Sequence, residues 1–352
     1  MRASDGFLIY GGNGYTAALL AREALAQGMR PILCGRDPAR TKQAGERFGL
    51  GHRVARLDAP RELESAMRGV VVVLNAAGPF ADTTAPLVAA CLDNGVHYLD
   101  VSGEAETLNY VSGKHAEARA AGVMLMPGVG FDVVPSDCLS RHVVARLSHP
   151  RRLSIGITGL GSASRGSART TIDQIGKKVL VRRAGRLCTV APASLERRFD
   201  YGQGPSASLA VSWADVVSAY YSTGVPDIDV YFEATPAVRS ALMASRHLGW
   251  WMGYPPVKRY LKTWTRFLPE GPGETERATA MAVIVAEAQD EDGRSVTARL
   301  RTPEVYTFTA MTAVTIAGRV LAGDWQPGYE TPSRIYGSDF VLSFPGVFRE
   351  DL

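Results

Sequence analysis

The sequence predicts an α/β chain: a doubly wound parallel sheet followed by a second α+β domain of mainly antiparallel sheet. Three observations predict it. Short apolar runs alternate with helical stretches up to about residue 150, a glycine cluster follows the first run, and alternating strands with longer loops take over from Leu153. At 352 residues and 37.8 kDa the chain exceeds one typical folding unit. The expected boundaries are 1–150 for the first domain, 151–303 for the second, and 304–352 for a carboxyl-terminal segment packing back on the first.

The apolar runs are Phe7–Tyr10, Pro31–Cys34, Val54–Leu57, Val70–Leu74, Val96–Val101 and Val123–Met126. Each has the length of a strand buried on both faces of a parallel sheet. Ala17–Gln27, Arg40–Phe48 and Thr84–Asp93 lie between them, rich in Ala, Leu, Arg and Glu, and read as crossover helices. In the second half Asp227–Glu233, Ala280–Ala286 and Ser295–Arg301 read as strands, and Thr307–Leu321 as a long helix.

Composition excludes several classes. Apolar residues make up 46% and charged residues 21%, enough to build a large core. The 39 Lys+Arg against 35 Asp+Glu leave a dispersed net charge of +4, without the basic stripe of a nucleic-acid binder. Val70–Leu74 is far too short to span a bilayer, and the amino terminus lacks a signal-peptide pattern. Cys34, Cys91, Cys138 and Cys188 stand 47 to 57 residues apart, without the spacing of a zinc site or redox dithiol. Cytoplasmic localisation is therefore expected. His97 and His115 show no ligand spacing, so no metal is expected.

Gly11-Gly12-Asn13-Gly14-Tyr15-Thr16-Ala17 joins the first strand to the first helix. Glycines let the backbone approach a diphosphate, which then meets the positive end of the helix. This context predicts a dinucleotide site of the Rossmann type. The second strand ends in Cys34-Gly35-Arg36-Asp37-Pro38, where a carboxylate would bind the ribose diol of NAD and an arginine the extra phosphate of NADP. Asp followed by Pro reads as an N-cap and first helical residue, which favours Arg36 and NADP. A merely solvated Arg36 is the alternative. Asp58 reads equally as an adenine partner and as a helix cap. Ala77, Gly78 and Pro79, within Asn75–Phe80, fall beyond a strand end and are expected beside the nicotinamide ribose.

Gly12–Ala17, Asn75–Phe80, His97–Glu104 and Gly130–Asp137 occur in an order that resembles the saccharopine dehydrogenase-like superfamily, and within it the bacterial trans-acting enoyl reductases. Thr302–Tyr306 and Gly328–Asp339 are similar too, so the likeness runs over nearly the whole chain. The resemblance implies an NADP-binding Rossmann domain and a second α+β domain, with substrate held between them. Gly11, Gly14 and Ala17 then take the diphosphate turn, Arg36 the 2′-phosphate, and Gly78 and Pro79 the nicotinamide side. Two departures stand out: Ala17 replaces a frequent Gly, and Arg165–Thr170 replaces a Ser-Gly-Gly-Thr type segment.

A reductase needs a proton donor or an electrostatic partner for developing charge. Tyr98 is a candidate donor to an enolate, with Asp100, Ser102 and Glu104 orienting substrate or water; the last two also suit a turn and helix cap. After the sixth strand, Phe131 is a candidate to flank the nicotinamide and Asp132 either fixes a loop or takes part in catalysis. Cys91 and Cys138 fall in expected helices and read as buried packing residues. Arg165 and Arg169 are either donors to an anionic substrate group or parts of a solvated turn.

Trp250, Trp251, Tyr254, Tyr260, Trp264 and Phe267 are interleaved with Lys258, Arg259, Lys262 and Arg266. This stretch suits a substrate mouth, a peripheral membrane contact, a dimer seam, or packing on the second sheet. The expected function is NADPH-dependent reduction of an enoyl group on a small-molecule or carrier-bound, lipid-like acyl substrate by a monomer or homodimer. The alternatives are imine or amino-acid chemistry of the saccharopine type, and a non-catalytic NADP-binding scaffold associated with lipid.

Overall fold

The computed structural model describes residues 6–352. By compactness the chain divides into two units, one running to Val134 and resuming over Tyr306–Ile335, the other comprising Pro135–Val305 and Tyr336–Leu352.

The first unit alternates strand and helix: β1 (Phe7–Tyr10), α1 (Tyr15–Ala26), β2 (Ile32–Gly35), α2 (Pro38–Phe48), β3 (His52–Val54), α3 (Pro60–Met67), β4 (Val72–Asn75), α4 (Phe80–Asn94), β5 (His97–Asp100), α5 (Ala105–Ser112), α6 (His115–Ala121) and β6 (Met124–Met126). β1, β4, β5 and β6 are buried at every position, as strands covered on both faces must be. Side chains such as Phe7, Ile9, Leu74 and Leu99 are fully buried, each contributing roughly 1.5–3 kcal/mol of transfer free energy. β3 stops at Val54 instead of running through 54–57. The Arg56 N–H turns away from the ladder to the Glu62 carboxylate at 2.9 Å, so pairing with β2 ends after Val54 and Ala55.

The second unit opens with α7 (Val134–Val144). β7 (Pro150–Thr158), α8 (Arg165–Gln174), β8 (Val179–Arg183), β9 (Arg186–Val190), β10 (Glu196–Asp200), β11 (Pro205–Ala210), α9 (Asp215–Thr223) and β12 (Asp227–Glu233) follow. α10 (Pro236–Met252) and α11 (Pro255–Trp264) then lead through a 3₁₀ turn at Thr265–Phe267 to α12 (Glu274–Thr279), β13 (Met281–Asp290) and β14 (Ser295–Pro303). α13 (Val305–Leu321) and β15 (Gly328–Tyr329) return to the first unit, and α14 (Pro332–Tyr336) and β16 (Phe348–Asp351) complete the chain.

β15 pairs in parallel with β6, adding a seventh strand to the six read from sequence and giving the order β15-β6-β5-β4-β1-β2-β3. Only two residues pair, too short a run to carry a strand pattern. The order reverses direction between β1 and β4, the place where open α/β sheets hold ligands at the carboxyl ends of their strands. In the second unit the path β10-β11-β12-β7-β13-β14-β16 is antiparallel apart from the β12–β7 pair, and β8 and β9 extend it from β12. Val181, Phe199, Tyr201, Tyr231 and Val285 pack on one of its faces. No helix among the described residues is long and apolar enough to cross a membrane.

Candidate functional site

The glycine turn is fastened to its neighbours on both sides. The N–H groups of Gly11 and Gly12 both donate to the Cys34 carbonyl at 2.8 Å, and Gly14 N–H donates to the Gly11 carbonyl at 2.9 Å. Gly11 has φ +83°, and a Cβ there would lie 2.9 Å from the Ala77 nitrogen. A Cβ on Gly12 would lie 2.8 Å from Leu33 Cβ. Only glycine lets this turn fit between β2 and the loop after β4. The two N–H groups at 11 and 12 are spent on Cys34, so an anion must be met by the start of α1 itself. Gly14 is the N-cap of α1 and supplies no side-chain cap, which leaves the dipole end of the helix open to a ligand oxygen. Asn13 is exposed beside it, Thr16 is half-buried, and Tyr15 meets Tyr306 of α13 edge-on at 5.3 Å.

At the end of β2, Asp37 caps α2: its carboxylate accepts the Arg40 N–H at 3.0 Å, and Pro38 takes the first helical position. Arg36 is exposed at the carboxyl end of the strand. A Cβ on Gly35 would fall 2.8 Å from Thr41 Oγ1, so this position too is held small by its surroundings. Burial pushes the Cys34 thiol up to about 12, which keeps it an unreactive neighbour.

Beyond β4, β5 and β6 a buried polar network joins three loops. Asn75 Nδ2 donates to Thr83 Oγ1 and Tyr98 Oη, its Oδ1 accepts the Ala77 N–H, and Thr83 Oγ1 donates to the Ala77 carbonyl. These bonds shape the Ala77–Pro79 segment, which contains a cis Gly78–Pro79 peptide. Asp100 accepts from Tyr98 Oη at 2.8 Å and from the N–H groups of Ser102 and Gly128 at 2.9 and 2.8 Å. The Glu104 carboxylate accepts the N–H groups of Phe80 and Ala81 at 3.1 and 3.2 Å and the Thr107 hydroxyl at 3.1 Å. It therefore caps α4, the helix of the preceding βα unit.

Asp132 lies directly over Gly103: a Cβ there would come within 2.6 Å of Asp132 Oδ2. Three carboxylates thus share a small volume. Burial, reinforced by the charges of Glu104 and Asp100, pushes the Asp132 carboxyl up to about 7. Burial also raises Asp100 to about 6, even though the Ser102 and Gly128 N–H bonds oppose the shift.

Residues 7–126 match the family profile described as the saccharopine dehydrogenase NADP binding domain. Over 147 residues the chain is 32% identical to a saccharopine dehydrogenase-like oxidoreductase of Arabidopsis thaliana, covering 37% of this chain and 32% of that protein. Over 148 residues it is 32% identical to the trans-acting enoyl reductase of Mycobacterium ulcerans, covering 40% of this chain and 35% of that one. The chain thus spans about a third of the length of these curated relatives. The apo saccharopine dehydrogenase (L-Glu forming) of Saccharomyces cerevisiae has a similar fold, with a TM-score of 0.65 and 11% identity over 99% of this chain and 100% of that one.

Within the first unit, Gly11–Thr16 and Ala77–Pro79 follow the carboxyl ends of β1 and β4, and the network of Tyr98, Asp100, Ser102, Glu104 and Asp132 runs from β5 into the loops after β5 and β6. Two expectations from sequence need correction, and of the two readings of Asp58 the cap falls away. Tyr98 is fully buried and its hydroxyl is bonded to Asn75, Thr84 and Asp100, a placement that does not match direct proton donation to substrate. Asp58 is exposed in the turn after β3 and does not cap α3, whose N-cap is Ala59. Arg165 and Arg169 belong to a helix, not a turn, and direct their Nε–H groups to the Leu268 carbonyl and Thr265 Oγ1 of their own unit. Cys91 and Cys138 are buried in α4 and α7 as packing residues.

Sequence reasoning assigned no role to Thr83 or Thr84, and from α13 it expected only a helix packing back on the first domain. The Phe131 N–H donates to Thr309 Oγ1 at 3.0 Å and Thr312 Oγ1 donates to the Val129 carbonyl at 2.9 Å, so α13 fixes the Asp132 loop from 178 residues or more away. Nothing in the local pattern of a small-residue helix marks such a contact.

Proposed function

We propose that this chain is an NADPH-dependent oxidoreductase that reduces an enoyl C=C bond on a lipid-like or carrier-bound substrate. The observation that carries the cofactor choice is the Asp37 cap. With Asp37 committed to α2, Arg36 is the side chain left at the end of β2 to meet a 2′-phosphate. The trans-acting enoyl reductase of M. ulcerans among the relatives supports the acceptor class.

The residues fit the cofactor. Gly11 and Gly12 hold a turn that a Cβ would fill, the α1 amino terminus carries no side-chain cap, and Ala77–Pro79 stand across the switch point from the turn. Bound NADPH supplies a hydride; the protein must then supply a proton and hold the geometry. In this reading Asp132 holds that proton, because burial and the charges of Glu104 and Asp100 push its carboxyl up to about 7. Tyr98 and Asp100 position the loops, Ser102 accepts the Glu104 N–H, and Glu104 fixes the Ala77–Ala81 backbone through α4. Asp58 is left as an exposed neighbour for the adenine end.

Calorimetric titration with NADPH and NADH tests the cofactor assignment. Replacing Arg36→Ala is expected to weaken NADPH by roughly 10- to 100-fold and NADH by less than about 3-fold, as for loss of a hydrogen-bonded charge pair. Equal losses would remove Arg36 from the phosphate site. A screen of enoyl thioesters, keto acids and imines, read as loss of NADPH absorbance, tests the acceptor. Turnover confined to keto acids or imines would replace the enoyl assignment.

A further inference from the structure

From Ala234 to Pro269 the chain contains no Asp or Glu, against Arg239, Arg246, Lys258, Arg259, Lys262 and Arg266. The same stretch, α10 to the 3₁₀ turn, carries the largest exposed aromatic surface of the second unit. Trp250 is 83% exposed, Phe267 67%, Tyr260 60% and Trp264 56%. Tyr260, Trp264 and Phe267 form a ladder of ring contacts at 6.1 and 5.7 Å, and Arg266 lies 4.7 Å over the Phe267 ring. α11 buries none of its residues completely, so its aromatic side chains do not serve the core of the unit.

The fold nevertheless holds this hairpin in place. Lys262 pairs with the Asp173 carboxylate at 2.7 Å and Lys258 donates to the Asp173 carbonyl at 2.7 Å, which ties α11 to α8. Gly176 packs directly on Gly249 and Gly253 at the α10–α11 junction, where a Cβ on Gly176 would lie 2.5 Å from the Gly249 carbonyl oxygen. Two lysines are thereby turned inward, while Arg259 and Arg266 remain exposed, Arg266 over the Phe267 ring.

We propose that the α10–α11 hairpin docks the protein in the plane of a bilayer surface that contains anionic lipid, with Trp250, Trp264 and Phe267 entering the boundary between headgroups and acyl chains. Tryptophan and other amphipathic rings favour that boundary, and the exposed Arg259 and Arg266, unlike Arg239 and Lys262, which pair with Glu196 and Asp173, are drawn to anionic headgroups. A second copy of this chain is a poorer occupant, because it would bring the same unbalanced positive charge against this one. The proposal concerns the second unit by itself and does not depend on the redox reading.

Sedimentation of the full chain with vesicles of phosphatidylcholine, with and without phosphatidylglycerol, tests it. Binding is expected to the mixed vesicles, to weaken with added salt, and to be lost in the triple variant Trp250→Ser, Trp264→Ser, Phe267→Ser. Arg259→Ala with Arg266→Ala is expected to lower partitioning roughly 25-fold at low salt, about fivefold per charge, with NADPH affinity unchanged. Brominated lipids should quench tryptophan fluorescence of the unaltered protein, a readout that holds even where a variant folds poorly. Three results would overturn the proposal. They are no sedimentation and no quenching, equal sedimentation of the triple variant, or a ring-dependent dimer or nucleic-acid complex in place of vesicle binding.

Discussion

Asp132 and Asp100 are carboxylic acids held against their usual ionisation. Both have folded-state values above the ordinary carboxylate range, about 7 and about 6, with burial as the main cause. The native state therefore keeps protons that the unfolded chain has lost, and stability is fully present below about pH 4 and declines as pH rises through 6 to 7. Asp132→Asn removes one charge from the cluster without changing its shape. Thermal unfolding should show the variant gaining on the unaltered protein by roughly 2–4 °C more near pH 8 than near pH 5. A difference that stays constant with pH would mean that Asp132 is not strained by its neighbours. If Asp132 holds the reaction's proton, the same variant loses about 10²- to 10⁴-fold in kcat, and kcat of the unaltered enzyme falls as pH rises through about 7.

At the scale of elements, the site is built by each loop stabilising its neighbour. Glu104 follows β5 but caps α4, and Asp100 ends β5 but holds Gly128 after β6. Glu104→Gln keeps the size and removes the charge from the α4 amino terminus. It is expected to cost about 0.5–2 kcal/mol in denaturant unfolding. NADPH affinity should fall with it, since the Ala77–Ala81 backbone loses its anchor. At the glycine turn, φ +83° and contact with Ala77 make Gly11→Ala costly on both counts. About 1–3 kcal/mol of lost stability and loss of NADPH binding are expected, measured by unfolding and calorimetry. A folded Gly11→Ala protein with unchanged affinity would show that the turn does not face the nucleotide.

At the scale of the whole molecule, the first unit is discontinuous in sequence. Its sheet is completed by β15 and its Asp132 loop is fastened by Thr309 and Thr312 of α13, whose Phe308, Ile316 and Ala317 are fully buried. A chain ended after Glu304 would expose that surface and break those bonds. Circular dichroism and calorimetry should show such a truncation losing both cooperative unfolding and NADPH binding, although the entire family-matched segment 7–126 is present.

From local sequence alone come the strand and helix alternation, the glycine turn, and the Asp37 cap of α2. Each rests on interactions within a few residues: four-residue apolar runs, a Pro at the first helical position, glycines where a Cβ has no room. Local sequence did not determine that Tyr98 meets Asn75, that Glu104 serves the preceding helix, that Arg165 and Arg169 bond to 265–268, or that a two-residue strand closes the sheet. Those depend on partners 23 to more than 200 residues away, such as Phe80 for Glu104 and Met124 for Gly328. Local propensity sets what an element is. Only the packed fold decides which polar atoms find one another when water is excluded, because an unpaired buried group costs more than any local preference returns.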